Sequence, residues 1–279
     1  PVEAVVDLQM PEELGALTIE RAWTGEPTGE RTPLFGAGWE TVWDVRLVDD
    51  MFTGPLPAEP AEAPRRGQLV ALEGGGSVRV DDEGRLDEVC LDTSVCTEAE
   101  WSDDSLVLRP VLGESSEAGN RPTVTLSLEE DRVVGAKAAD GRTVEYRYAS
   151  GRLTSVAQGE NETAYGYESG RLVSIDDGVR RTYTYDRSGQ VVAATDRDGG
   201  RWTIGPPGGQ GPAAERTGSG RQTFEVQSPD GWTRTYRFRG GLLVEAVDDE
   251  LGVLLRREID GNKVAVEERP LEGLRSERI

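Results

Sequence analysis

The sequence predicts an all-β protein assembled from consecutive antiparallel hairpins that build a curved, spiralling sheet or partial hollow shell. Three observations predict it. Apolar and polar residues alternate with period two along much of the chain, as where Val124, Leu126 and Leu128 interleave with Thr123, Thr125 and Ser127. Such alternation gives a strand one buried face. No window of about 12 residues or more shows the apolar recurrence at i, i+3, i+4 and i+7 that a helix needs. Finally, one short segment recurs: Tyr146-Arg147-Tyr148-Ala149-Ser150-Gly151-Arg152-Leu153 aligns with Tyr165-Gly166-Tyr167-Glu168-Ser169-Gly170-Arg171-Leu172, and both align with Tyr183-Thr184-Tyr185-Asp186-Arg187-Ser188-Gly189-Gln190-Val191. Gly151, Gly170 and Gly189 fall 19 residues apart, a period that marks a repeat architecture.

Taken in order, residues 1–50 read as an N-terminal cap. Leu17, Ile19 and Trp23 share one parity, and Thr41, Trp43, Val45 and Leu47 share another. Trp23, Trp39 and Trp43 are expected to pack this cap against one end of the sheet. Residues 51–279 read as the hairpin region, with three loop insertions. Gly54–Gly67 is rich in Pro, Ala and Glu and is unsuited to a central strand. Gly113–Pro122 and Gly205–Gly220 carry clustered Gly, Pro and Ser. Alternation resumes at Thr223, Glu225 and Gln227, which argues for one continuous architecture. Weaker copies of the repeat flank the three clear ones: Val78-Arg79-Val80 leads to Gly84-Arg85-Leu86, Leu126-Ser127-Leu128 to Asp131-Arg132-Val133, and Tyr236-Arg237-Phe238 to Gly241-Leu242-Leu243.

Each copy has the same physical reading. Two apolar residues separated by one polar residue occupy one face of a strand. A turn follows in which Gly supplies a positive φ. The apolar residue two positions later starts the returning strand. A lone hairpin is marginal in water, so successive hairpins must lie edge to edge. Tyr146, Tyr148, Tyr165, Tyr167, Tyr183 and Tyr185 then form a ladder expected to stack across strands. Arg152 and Arg171 repeat at one position and are expected to pair with neighbouring carboxylates. The two ends of such a stack leave strand edges that a partner, self-association or further repeats must cover.

Charge excludes several functions. With 52 acidic against 31 basic residues the net charge is −21, which argues against nucleic-acid binding, because a phosphate backbone needs a basic face, and against adhesion to anionic membranes. The chain has no histidine, so a Ser-His-Asp triad, a Cys-His pair and a His-ligated metal are all absent from it. No stretch approaches the ~20 apolar residues of a membrane-spanning helix, so no membrane insertion is expected. The first residues lack the basic and apolar regions of a signal peptide. Gly74-Gly75-Gly76 and Gly208-Gly209 lack the Lys-Ser/Thr of a phosphate loop, and no cofactor is expected.

The repeats resemble the YD-repeat, or RHS-repeat, family. Tyr185-Asp186-Arg187-Ser188-Gly189 matches the Tyr-Asp-x-x-Gly signature, with Val191 where Leu is usual. The copies at Tyr148–Leu153 and Tyr167–Leu172 are shortened versions without the Asp. Near the N-terminus, Gly15, Leu17 and Arg21, followed by Phe35, Gly36, Gly38 and Trp39, are similar to the segment that often opens RHS regions. The crisp part of the resemblance is 141–200. It implies a long antiparallel sheet spiralling into a hollow shell, which in this family encapsulates a C-terminal toxin or serves in contact and adhesion at a bacterial cell surface. The chain shows no Asp-Pro-x-Gly core-closing motif, no self-cleaving segment and no toxin domain after Glu272, and fewer repeats than a complete shell, so a fragment or a short, open member is expected. The function expected is that of a non-catalytic shell or scaffold module of a secreted or surface protein. Its partner would be a toxin segment or the rest of a longer polypeptide.

Four sets of residues carry possible chemistry. If Asp92, Thr93 and Ser94 form a three-residue turn, Cys90 opposes Cys96, and opposed Cβ atoms ~4.5–5.5 Å apart are within reach of a disulfide contributing roughly 2 kcal/mol. Two free thiols are the alternative. A disulfide would imply an oxidising, extracellular setting. A carboxylate-pair hydrolase is a third functional reading, but Asp81-Asp82-Glu83, Asp176-Asp177 and Asp248-Asp249-Glu250 adjoin Gly at expected turns. Asp196-Arg197-Asp198-Gly199-Gly200 begins like a calcium loop without its later ligands, and reads as a hairpin turn; no metal is expected. Trp202 and Trp232 lie near turns, where exposed rings would stack on a sugar and make the chain a surface adhesion module. Burial in the core is their other fate.

Overall fold

The computed structural model describes residues 3–9, 18–24, 33–56, 58, 60–73, 76–90, 96–111, 123–187, 189–205, 221–239, 242–260 and 263–268. Of the expected features, Gly15, Leu17, the 113–122 loop, the 92–94 turn, most of the 205–220 loop, Gly74-Gly75, Gly208-Gly209 and everything after Glu268 lie outside them. The described chain is nearly all β, and its only helical element is a single 3-10 turn at Val42–Asp44. The alternation predicted this class. Among the described residues no helix is long and apolar enough to cross a membrane.

The chain divides into two compact units, Pro1–Leu172 and Val173–Ile279. The first begins with β1 (Glu3–Gln9), β2 (Thr18–Trp23) and β3 (Trp39–Glu40), which form a three-stranded antiparallel sheet in chain order. A ribbon of β4 (Arg46–Val48) and β5 (Met51–Thr53) follows. Then comes a meander of β6 (Val70–Ala71), β7 (Ser77–Val80), β8 (Leu86–Cys90), β9 (Cys96–Trp101), β10 (Ser105–Val111), β11 (Val124–Glu129), β12 (Arg132–Ala138), β13 (Thr143–Ala149), β14 (Arg152–Gln158) and β15 (Asn161–Glu168). Each strand pairs antiparallel with the one before it.

The second unit continues the same pattern. β16 (Arg171–Asp176) pairs with β17 (Arg180–Tyr185), followed by β18 (Val191–Thr195), β19 (Arg201–Gly205), β20 (Arg221–Gln227), β21 (Thr233–Arg239), β22 (Leu242–Asp248), β23 (Gly252–Asp260) and β24 (Lys263–Glu268). Antiparallel neighbours joined by short turns are what a repeat with no helical crossover must form.

The turns explain why the repeat has two sequence forms. In the shortened copies, Ser150-Gly151 and Ser169-Gly170 both adopt positive φ (51° and 77°, 49° and 86°), the two-residue hairpin loop whose twist matches the strands. In the Asp-bearing copy the loop is wider. Asp186 N–H donates to Gln190 O (2.9 Å), Gly189 N–H to Asp186 O (3.2 Å), and the Asp186 carboxylate accepts Gln190 N–H (3.0 Å). The same arrangement recurs at Asp81–Arg85, Asp196–Gly200 and, with a serine hydroxyl in place of the carboxylate, Ser228–Trp232. The signature Asp is therefore a turn-closing acceptor that satisfies a backbone donor.

A second recurring feature is a register shift just before the second apolar residue of the apolar-polar-apolar triplet. It occurs at Arg79/Val80, Ser127/Leu128, Arg147/Tyr148, Thr184/Tyr185 and Arg237/Phe238. One extra residue on the returning strand sets Tyr148 opposite Leu153 and Tyr185 opposite Val191. Bulges of this kind sharpen local twist.

Candidate functional site

The most organised cluster of polar and aromatic side chains lies in the first unit, where the opening strands meet the tyrosines of the repeats. Within β2, Ile19, Arg21 and Trp23 are all buried while Glu20 is exposed, so strand alternation drives a guanidinium inward. A buried charge must be paired. Arg21 Nε and Nη2 donate to the two oxygens of Asp7 on β1 (2.7 and 2.9 Å), with both side chains sealed from solvent. Arg21 Nη2 also donates to Tyr165 OH, and Tyr146 OH donates to Asp7 Oδ2 (3.2 Å). The guanidinium carbon sits 4.3 Å from the Trp39 ring centroid and 4.9 Å from that of Tyr165, within cation–π range.

Electrostatics follow from this packing. Burial works against the Arg21 cation, but Asp7 and Tyr165 outweigh it and hold its pKa above the ordinary value. Burial, reinforced by the Asp7 charge, pushes the Tyr146 hydroxyl well up. Tyr167 is pushed up to about 12, chiefly by burial. Arg21 is thus held as a cation and Tyr146 and Tyr167 as neutral phenols at physiological pH.

The remaining aromatic rings complete the contact. Phe35 meets Tyr146 at 5.1 Å, Trp39 meets Tyr165 at 5.1 Å and Trp23 meets Tyr167 at 5.5 Å between centroids. Tyr146, Tyr165 and Tyr167 thus stack on the rings of the opening segment, where cross-strand stacking among the tyrosines was expected. Trp39 Nε1 donates to Tyr167 OH (2.8 Å), which donates to Leu153 O (2.7 Å), and Tyr148 OH donates to Val133 O (2.6 Å). Backbone contacts add to these: Val133 N–H donates to Leu34 O (2.8 Å) and Ala37 N–H to Gly151 O (3.1 Å). Gly36, at φ 84°, leaves room for Gly151 O and the Tyr148 ring. Of the opening motif, Arg21, Phe35, Gly36 and Trp39 enter this contact directly. Gly38, at φ 87°, turns the chain into β3 and accepts Thr24 N–H through its carbonyl.

In the two shortened copies, Gly151 and Gly170 occupy tight turns, and Leu153 and Leu172 are fully buried. In the Asp-bearing copy Tyr183 is buried, while Tyr185, Asp186, Gly189 and Val191 are half-buried around the turn. Arg152 departs from expectation. Its guanidinium lies over the Tyr167 ring (5.9 Å), and its Nε is buried with no hydrogen-bond partner among the described residues.

Cys90 and Cys96 are directly opposed in the β8–β9 pair and joined as a disulfide (S–S 2.03 Å). Trp202 and Trp232, from β19 and the β20–β21 turn, meet edge to face at 5.2 Å, both half-buried. Trp202 Nε1 donates to Asp196 Oδ2 (2.9 Å), and Arg234 lies 4.2 Å from the Trp232 ring centroid. The Asp196–Gly200 segment is a hairpin turn in which Asp196 Oδ1 accepts the N–H groups of Asp198 and Gly200. Asp81, Asp176 and Asp248 likewise accept turn N–H groups, and Asp177 pairs with Arg181 and Arg197.

Two participants escaped the sequence reading. Asp7 stands in a strand whose parity shifts at a bulge between Val6 and Leu8, which hides its inward direction. Asp44 is half-buried and accepts the N–H groups of Leu34 (2.7 Å) and Thr41 (2.8 Å). The available signal was Arg21 itself, a charge sharing parity with Ile19 and Trp23, which demands a buried acid.

Comparison with known proteins agrees with this architecture. The family model described as RHS Repeat matches residues 167–201, a span that contains the Tyr167–Leu172 copy and the Tyr-Asp-x-x-Gly copy. That match supports an RHS/YD-repeat reading of the matched span, which is similar to RHS repeats. A search of curated proteins gave no match.

Proposed function

We propose that this chain is a non-catalytic shell or scaffold module of a secreted or surface-displayed RHS-type protein, enclosing or presenting a toxin segment in interbacterial competition. The observation that carries the reading is the division of labour in the first unit. The opening segment carries a buried Arg21–Asp7 pair and is held to the repeat tyrosines by hydrogen bonds from Arg21 to Tyr165 and from Tyr146 to Asp7 and by three ring contacts, and the RHS match begins at Tyr167, one of those tyrosines. Such a lock serves a wall. Among the described turn carboxylates, Asp81, Asp176, Asp196 and Asp248 close hairpins by accepting backbone N–H groups.

Small-angle X-ray scattering on the purified chain, with mass determination, tests the reading. A monomer with a radius of gyration clearly above the ~19 Å of a compact 279-residue domain is the expected result. A compact particle at that radius would overturn the shell and leave a self-contained binding module. That second reading, adhesion to a glycan, is favoured by the meeting of Trp202 and Trp232 at 5.2 Å. Half-buried indoles beside a carboxylate are suited to a sugar ring, and a glycan screen with Trp202→Ala and Trp232→Ala decides it.

A further inference from the structure

The face of the β8–β9 hairpin that carries the disulfide also carries a carboxylate placed as a third ligand. Glu88 and Cys90 are two apart on β8 and therefore share a face, and Cys96 stands directly across from Cys90. The ligand atoms of Glu88, Cys90 and Cys96 all lie within 4.8 Å of one another, and Glu88 Oε1 is 3.6 Å from Cys90 Sγ. Tetrahedral Zn²⁺ with Zn–S of about 2.3 Å and Zn–O of about 2.0 Å sets a sulfur–oxygen edge of about 3.5 Å and a sulfur–sulfur edge of about 3.8 Å. The first edge is already present. The second needs only the parting of two sulfurs whose Cα atoms are 3.9 Å apart. Glu88 is held by Arg79 (2.8 Å), which also contacts Asp87 (3.1 Å), so Arg79 keeps a carboxylate partner when Glu88 turns to a cation.

We propose that this hairpin is a redox-gated site for a soft divalent cation, Zn²⁺ by the chemistry of its donors. Cys90 and Cys96 thiolates and the Glu88 carboxylate supply three ligands, and water fills the fourth position. The disulfide closes the site. A dithiol reductant opens it: the reductant gives two electrons and two protons, becomes a disulfide itself, and leaves two protein thiols. Cation binding then releases both thiol protons to solvent. Reoxidation returns the two electrons to an oxidised dithiol and expels the cation. The inference is independent of the shell reading, because it rests on one hairpin alone.

Co²⁺ titration of the full chain tests it, once with the disulfide intact and once after reduction by a phosphine, which adds no thiol ligand. Reduced protein is expected to bind one equivalent of Co²⁺, with the visible bands of a tetrahedral ion and near-ultraviolet thiolate-to-cobalt charge transfer, and Zn²⁺ is expected to displace it. Oxidised protein is expected to show neither band. Glu88→Gln should retain the charge-transfer band while weakening binding by about tenfold or more, and Cys96→Ser should remove most of that band's intensity. Equal uptake by the oxidised chain, no uptake by the reduced chain, or an unchanged spectrum in Cys96→Ser would each overturn the proposal. Should Cys96→Ser fail to fold by circular dichroism, the oxidised and reduced wild-type titrations decide it alone.

Discussion

At the residue scale, the buried ion pair and a half-buried carboxyl of the opening segment have opposite consequences. Arg21 and Asp7 pair almost fully out of solvent, with Arg21 Nη1 left without a hydrogen-bond partner among the described residues. Removing one partner of such a pair typically costs about 3–5 kcal/mol, whereas replacing both by apolar residues costs much less. In urea unfolding, Arg21→Met should lose stability on that scale, and Asp7→Leu/Arg21→Met should recover part of it. Simple additivity of the single variants would mean that the pair is not coupled. Asp44 is the contrary case. Burial lifts its carboxyl to about 6, against the N–H groups of Leu34 (2.7 Å) and Thr41 (2.8 Å) and the nearby Arg46 charge, which favour the ion. The folded chain therefore holds the proton more tightly than the unfolded chain. That contribution is complete below an ordinary carboxylate pKa of about 4 and is lost as pH rises through about 6. Relative to Asp44→Asn, which cannot ionise, the wild type should lose stability between about pH 4 and pH 7, on the order of a few kcal/mol. A stability difference that stays flat across that range would contradict the raised value.

At the scale of elements, the same four-residue turn is used in two different surroundings. Gly84 and Gly199 both adopt φ 79° in an Asp-x-x-Gly turn. A Cβ at Gly199 meets nothing within 4 Å, whereas a Cβ at Gly84 would lie 2.6 Å from the Leu47 carbonyl oxygen, because β4 docks its backbone on that turn through Leu47 N–H and Gly84 O (2.8 Å). Alanine at Gly199 should cost about 1–2 kcal/mol for the left-handed backbone. Alanine at Gly84 should cost about 1–3 kcal/mol more for the forced approach. Denaturant midpoints of the two variants check this, and equal losses would mean that the β4 contact is dispensable.

At the scale of the whole molecule, charge is the dominant global property. A net charge of −21 makes the folded state repel itself. The exposed Arg–carboxylate pairs along the hairpins are worth only about 0–1 kcal/mol each. Raising sodium chloride from about 10 mM to about 500 mM, which shortens the screening length from roughly 30 Å to below 8 Å, should raise Tm by a few degrees. A fall in Tm would show that the ion pairs outweigh the repulsion.

The sequence by itself determined the strand class, the hairpin repeat and the positions of its turns, because each depends on residues within about 20 positions of one another: alternating apolar residues, a turn glycine and an acceptor side chain. It also allowed Cys90 to stand opposite Cys96 if Asp92–Ser94 made a three-residue turn, and the strand pairing places them so. Only the tertiary structure decided that the opening motif and the first two tyrosine copies are two halves of one contact. Arg21 meets Tyr165 across 144 positions and Asp7 meets Tyr146 across 139, distances at which alternation says which side chains turn inward but not what they meet. The bulges at the five copies named above were equally hidden, because an extra residue on the returning strand leaves the apolar spacing of the first strand unchanged. Which buried side chains found each other was settled by the need to pair one guanidinium taken out of water.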